Sequence, residues 1–106
     1  VYKRQTLRWF PGYPVTNNVP ELVDLVHAKI AESKGQDAVC PMEAPVMGAE
    51  DFSYYGEQVP ACFFALGLCP EGMDMPNVHE STFDFNDLAI PLGVETMVRL
   101  ALEPLA

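Results

Sequence analysis

An α/β fold is what the sequence predicts, and three observations predict it. Residues 19–34 carry apolar side chains at helical spacing. Ala61-Cys62-Phe63-Phe64-Ala65-Leu66 is an unbroken apolar run of strand length between Pro60 and Gly67. A second helical pattern follows from Asp87. Helices that alternate with short, fully apolar strands suit a sheet covered on both faces.

Taken in order, Leu7-Arg8-Trp9-Phe10 is a bulky run halted by Pro11-Gly12 and Pro14, a strand end followed by extended chain. Asn18 with Glu21 three residues on has capping-box spacing, and Pro20 falls in a first turn, where its missing N–H costs nothing. Leu22, Val23, Val26 and Ile30 then recur at 3.6-type spacing up to Gly35, so a helix is expected over 19–34. Residues 38–42 read as a short strand broken by Pro41 and Pro45. Met47-Gly48-Ala49 is a hinge before Glu50 and Asp51, acids suited to the positive end of a helix dipole, and a short helix is expected from about Glu50 to Gly56. After the strand at 61–66 comes a Gly/Pro-containing loop over about 67–82. Ile90, Val94, Met97, Val98 and Ala101, with Pro91 in the first turn, mark a closing amphipathic helix.

Fifteen acids against six bases give a net charge of −9, which argues against a face that binds nucleic-acid phosphates. No apolar run approaches the ~20 residues that span a bilayer. The three cysteines, Cys40, Cys62 and Cys69, have no paired spacing, so free thiols in a cytoplasmic protein are expected and a structural zinc site is not. Cys62 reads as a small buried hydrophobe. The chain starts at Val1, and residues 1–5 resemble a translated sequencing adapter, to be kept out of fold reasoning.

Two histidines are present, and they read differently. His27 lies mid-helix beside Val26, where a half-buried imidazole needs no function. His79 follows the apolar strand by a loop, and in open α/β sheets sites form beyond the carboxyl ends of strands. From spacing alone, a solvated loop histidine stays the stronger reading of the two. No phosphate-cradling glycine loop and no G-x-S-x-G nucleophile turn occurs. The Phe63-Phe64 and Tyr54-Tyr55 pairs read as core.

These residues together carry a resemblance. Met47-Gly48-Ala49-Glu50-Asp51-Phe52-Ser53-Tyr54-Tyr55, then Val59-Pro60, Phe63-Phe64-x-Leu66-Gly67, His79, Phe83-Asp84-Phe85 and Leu92-Gly93 are similar, in order and spacing, to the C-terminal segment of the M-twenty peptidase family. The likeness is to its amidohydrolase branch, which includes hippurate hydrolase, N-acyl-amino-acid amidohydrolases and auxin-conjugate hydrolases. Gly12-Tyr13-Pro14-Val15-Thr16-Asn17-Asn18 resembles the hinge between lid and catalytic domains.

The resemblance implies a metallopeptidase-like catalytic domain, a mixed sheet flanked by helices, with an inserted α+β lid that mediates homodimerisation. Residues 6–18 would be the last lid strand and hinge, and residues 19–106 the C-terminal part of the catalytic domain. Two divalent metals, Zn2+ or Mn2+, are implied, with His79 as a ligand to one of them. Gly48, Glu50 and Asp51 become candidates for substrate contact or for support of the metal site. For Glu50 and Asp51, a plain helix-start role stands beside that one. The remaining ligands and the general base fall upstream, so the 106-residue chain alone is expected to be inactive.

The implied reaction is hydrolysis of an N-acyl amino acid or related small amide by water activated between two cations. A metal-bound imidazole needs an acceptor on its second nitrogen, and Asp84 is a candidate. Glu80 departs from the family's usual pattern, and either a carboxylate beside the metal or a solvated side chain fits it. The Cys69–Asn77 loop has no counterpart in the motif. The competing reading is a non-catalytic α/β interaction module that kept the scaffold and lost the site.

Overall fold

Pro20 and the apolar spacing behind it produce helix α1, Pro20–Lys34, in the computed structural model, which describes residues 4–102. Residues 1–3 of the adapter-like start and residues 103–106 lie outside the described residues. Gly35 closes α1 at φ 91°, its N–H bonded to Ala31 O. The expected capping box does not form. Val19, extended at φ −73° and ψ 124°, is the N-cap, and no side chain caps it. Asn18 is drawn away instead, because its amide pairs with both backbone groups of Phe63. Its Nδ2 donates to Phe63 O and its Oδ1 accepts from Phe63 N, each at 2.7 Å. Val19 N donates to Ala61 O at 3.0 Å, so residues 18 and 19 together tie down the start of the apolar run.

Among the described residues there is no β-strand, so the expected sheet and last lid strand are not seen there. The stretch expected as a strand at 38–42 opens instead with a 3₁₀ turn, Gln36–Ala38. No backbone hydrogen bond joins residues 39–42 to residues 61–66, and the latter reach only Asn18 and Val19. A strand is defined by its ladder, and neither stretch has one. Nor is the apolar run covered on both faces: Cys62, Phe64 and Leu66 are half-buried while Phe63 and Ala65 are exposed. An open groove of about 400 Å³ separates the two stretches over α1, lined by Val26, His27, Ile30, Val39, Cys62 and Phe64.

The short helix arrives later than its acids suggest. Residues 51 and 52 form a turn and α2 spans Ser53–Gly56. Ser53 is buried, and its Oγ donates to Glu50 O at 2.7 Å. Phe52 packs on Phe63, ring centroids 5.3 Å apart, and Tyr13 meets Tyr54 edge-on at 5.8 Å. The aromatic residues expected as core therefore form a partly exposed seam between the hinge, α2 and the apolar run.

Helix α3, Ile90–Ala101, has Pro91 in its first turn as expected and is preceded by a 3₁₀ turn, Asp87–Ala89. Asn86 anchors that start. Its Oδ1 accepts from Leu88 N at 3.2 Å and its Nδ2 donates to Leu68 O at 2.9 Å. Helices α1 and α3 are joined by the Lys34–Glu95 ion pair at 2.5 Å, and Arg99 adds a 2.9 Å bond to the same carboxylate. The apolar face of α3 stays open, with Ile90, Val94, Met97 and Val98 all exposed.

Val26, Ala61 and Ala89 are the only buried hydrophobic residues described. The radius of gyration is 18.4 Å, against about 13 Å for a compact chain of this length. Helical pattern survives in such a segment because its hydrogen bonds are local. Sheet does not, because its bonds need partners that these residues do not supply.

Candidate functional site

Turn chemistry builds the loop between the apolar run and α3. Pro70–Met73 is a β-turn closed by Met73 N to Pro70 O at 3.2 Å, with Gly72 at φ 75° in its third position. Asn77–Glu80 is a second turn of the same kind, closed by Glu80 N to Asn77 O at 3.2 Å. Its third position is His79, at φ 74°. Glu80 then starts a third turn, accepting from Phe83 N at 3.0 Å. A positive φ at the third residue of a β-turn is the type II requirement, normally met by glycine. Gly72 meets it without a Cβ. His79 is the one non-glycine residue at positive φ among those described, and for an L-residue that conformation costs about 1–2 kcal/mol.

The Glu80 carboxylate holds this turn shut. Its Oε1 accepts from Asn77 N at 3.0 Å and from Asn77 Nδ2 at 3.2 Å, in addition to the backbone bond in the opposite sense. Glu80 is exposed, and Oε1 is the carboxylate oxygen that these bonds engage. The His79 imidazole is exposed and makes no hydrogen bond to any described residue. Asp84, the candidate acceptor for its second nitrogen, is exposed and does not reach it. On the near side of the loop, the Cys69 thiol donates to Met73 O at 2.8 Å.

Of the other candidates, Glu50 is engaged locally: its Oε1 accepts from Phe52 N at 3.3 Å and its carbonyl receives Ser53. These are the bonds of a helix-start residue, and Oε2 makes none to a described residue. Gly48 and Asp51 are exposed, and the Asp51 carboxylate has no partner among the described residues. No hydrogen bond or ion pair joins residues 48–51 to the His79 turn. Nor do three or more His, Cys, Asp or Glu side chains gather to hold a metal among the described residues. The chemistry of the donor set still fits one ligand. A solvent-facing imidazole with both ring nitrogens unengaged can fill a single coordination position, and the others would have to come from elsewhere.

Two further groups bear on electrostatics. Burial pushes the Cys62 thiol up from its ordinary value, which disfavours the thiolate and leaves Cys62 a packing residue on the groove. Lys34 first, and then Arg99, hold the Glu95 carboxyl below the usual carboxylate range. His27, as expected, is a half-buried helix histidine. Sequence reasoning missed Asn77 as the partner of Glu80, and the signal was there: Asn-x-x-Glu at 77–80 repeats the spacing of Asn18 and Glu21.

Comparison with known proteins adds to this geometry. The model of peptidase family M20/M25/M40 matches residues 4–103. IAA-amino acid hydrolase ILR1-like 2 of Arabidopsis thaliana is 32% identical over 90 residues, covering 85% of this chain and 20% of its own length. Thermostable carboxypeptidase 2 of Saccharolobus solfataricus is 39% identical over 93 residues, covering 86% of this chain and 22% of its own. IAA-amino acid hydrolase ILR1-like 6 of Arabidopsis thaliana is 27% identical over 90 residues, covering 84% and 19%. The chain thus spans about a fifth of the length of these relatives, all of which carry hydrolase or peptidase names. No solved structure matches it.

Proposed function

Because this chain belongs to peptidase family M20/M25/M40, we propose that it forms the C-terminal part of a metal-dependent amidohydrolase and supplies one metal ligand, His79. The single observation behind this reading is the His79 turn. An exposed imidazole, without a hydrogen-bond partner among the described residues, is held at φ 74° by a clamp of three hydrogen bonds between Asn77 and Glu80. Strain maintained at one residue by its surroundings is a mark of functional sites.

In this reading the substrate is an N-acyl amino acid or related small amide, split into a carboxylic acid and an amine. The relatives' names support that class. Two divalent ions, when bound, would acidify a water and polarise the scissile carbonyl. His79 would donate a ring nitrogen as a neutral imidazole. Its other N–H would need an acceptor from outside the described residues, since neither Asp84 nor Glu80 provides one here. Gly48, Glu50 and Asp51 remain proposed contacts to substrate or supports of the metal site, with Glu50 also bonded within the turn that carries them.

The same proposal covers the fold. Residues 38–42 and 61–66 would become strands when the rest of a longer polypeptide lies in the groove between them, and residues 6–18 would lead from a lid domain able to pair two subunits. No described helix is long and apolar enough to cross a membrane. We place the protein in the cytoplasm as a proposal, on the unpaired spacing of Cys40, Cys62 and Cys69 in the sequence.

The test is His79→Ala in the full-length polypeptide, with metal content per subunit measured beside turnover of an N-acyl amino acid. Loss of metal together with a fall of ~100-fold or more in turnover is expected. Full metal content with near-normal turnover would overturn the assignment. His27→Ala is the matched control and should leave both unchanged.

A further inference from the structure

We infer that Glu80 is a positioning residue: through Asn77 it locks His79 in a left-handed turn and so fixes the direction in which the imidazole leaves the loop. The inference rests on the reading of His79 as a metal ligand and goes beyond it.

Two turns of one loop make the case by contrast. Pro70–Met73 and Asn77–Glu80 share their closing bond and a φ near 75° at the third residue. The first puts Gly72 there, and its side-chain bonds come from outside the turn, from the Cys69 thiol to Pro70 O and Met73 O, with no carboxylate. The second puts a Cβ-bearing histidine there, and it alone carries a carboxylate clamp, Glu80 Oε1 on both nitrogens of Asn77. The fourth residue of the first turn is Met73, which has no such acceptor to offer. The carboxylate clamp, reaching back to the first residue of its own turn, therefore accompanies the turn with the strained residue.

Its geometry also explains why an acid stands beside the histidine. The carboxylate reaches backward to the first residue of the turn and encloses Val78 and His79 between two sets of bonds in opposite senses. Opening the turn by rotation at His79 would break them together. A ligand must hold its direction to bind a metal well, and groups that orient ligands typically change affinity by ~10–100-fold when removed. Glutamine retains an oxygen in the same place, so Glu80→Gln should keep the clamp. Alanine removes it.

Two measurements test this. In the full-length polypeptide with labelled histidine, NMR should show a strong amide-to-α cross-peak within His79, the signature of positive φ. That peak should persist in Glu80→Gln and weaken in Glu80→Ala. In the full-length polypeptide, Zn2+ affinity by chelator competition should fall ~10-fold or more in Glu80→Ala and stay within ~3-fold of the parent in Glu80→Gln. A wild-type chain lacking the peak, or an Ala variant keeping it, overturns the clamp. Equal losses in Gln and Ala would show that charge and not position acts, and would overturn it as well. Unchanged Zn2+ affinity in His79→Ala would overturn the ligand reading itself, whatever the NMR result.

Discussion

Replacing Asn18 by alanine should release the start of the apolar run, and the size of the effect follows from two hydrogen bonds. The Asn18 amide satisfies both Phe63 N–H and Phe63 C=O at 2.7 Å, as a neighbouring strand would. A net hydrogen bond contributes about 0.5–1.5 kcal/mol, and both of these lie at an exposed position where water competes. The lower half of the summed range, about 1–2 kcal/mol, is therefore expected, equivalent to roughly 5–30-fold in a local opening equilibrium. Amide hydrogen exchange reads this directly. Phe63 N–H should exchange faster by that factor in Asn18→Ala, and Val19 N–H, bonded to Ala61 O next door, should follow part of the way. Leu102 N–H, bonded to Val98 O at the far end of α3, is the internal control and should not move. Asn18→Asp separates the two bonds. It keeps an acceptor for Phe63 N–H but sets a carboxylate against Phe63 C=O, so it should protect less well than Asn18. Unchanged exchange at Phe63 in the Ala variant would refute the reasoning.

The remaining expectations are shorter. The 106-residue chain should unfold broadly, without one sharp two-state transition, because Val26, Ala61 and Ala89 are its only buried hydrophobic residues described; a steep melt of a monomer would count against this. The Lys34–Glu95 link between α1 and α3 should be present above the ordinary carboxylate range and lost as pH falls through the lowered value of Glu95. Because Glu95 faces solvent, salt should weaken that link as well, and a contact between the helices indifferent to both pH and salt would exclude it. Gly93→Ala would place a Cβ 3.2 Å from Leu66 Cδ2, the movable end of a side chain. The helix-propensity gain of about 1 kcal/mol should outweigh that contact. Helical ellipticity should rise, and a fall would mean that Leu66 is pinned.

Helix α1 was legible in this sequence to within a residue, α2 and α3 start about three residues later than expected, and strands were not legible. The spacing of Leu22, Val23, Val26 and Ile30 and the placement of Pro20 and Pro91 act within a few residues of themselves, so α1 and α3 form close to where expected. The run 61–66 has the composition of a strand, but its ladder depends on residues at long separation, and here only Asn18 and Val19 answer it. The exposed face of α3 has the same cause, since an amphipathic stripe names a partner without supplying one. The candidate site divides the same way. The position of His79 in a loop beyond the apolar run was legible, but its left-handed backbone was not, because positive φ is signalled by glycine and His79 carries none of that signal.

Asn18 and Asn77 show how one pattern yields two structures. Both have a glutamate three residues on, the spacing at which an N-cap side chain and a returning carboxylate satisfy each other's backbone donors. At Asn18 the helix is present but the reciprocal bonds are not: the amide serves Phe63, 45 residues away, and Val19 takes the cap position. At Asn77 no helix follows, yet half of the box forms, with Glu80 returning to the Asn77 N–H at 3.0 Å. The difference lies in what surrounds each pair. Pro20 already stands in the first turn of α1 and removes one of the donors a cap would serve, which leaves Asn18 available to a neighbour with an unpaired backbone. After Asn77, the left-handed residue at 79 turns the chain out of a helical course, so the carboxylate closes a single turn and nothing propagates. The capping motif is in essence a way to satisfy a free N–H, and it becomes a helix start only where the next residues stay right-handed. At His79 they do not, and the motif is left holding one side chain in place.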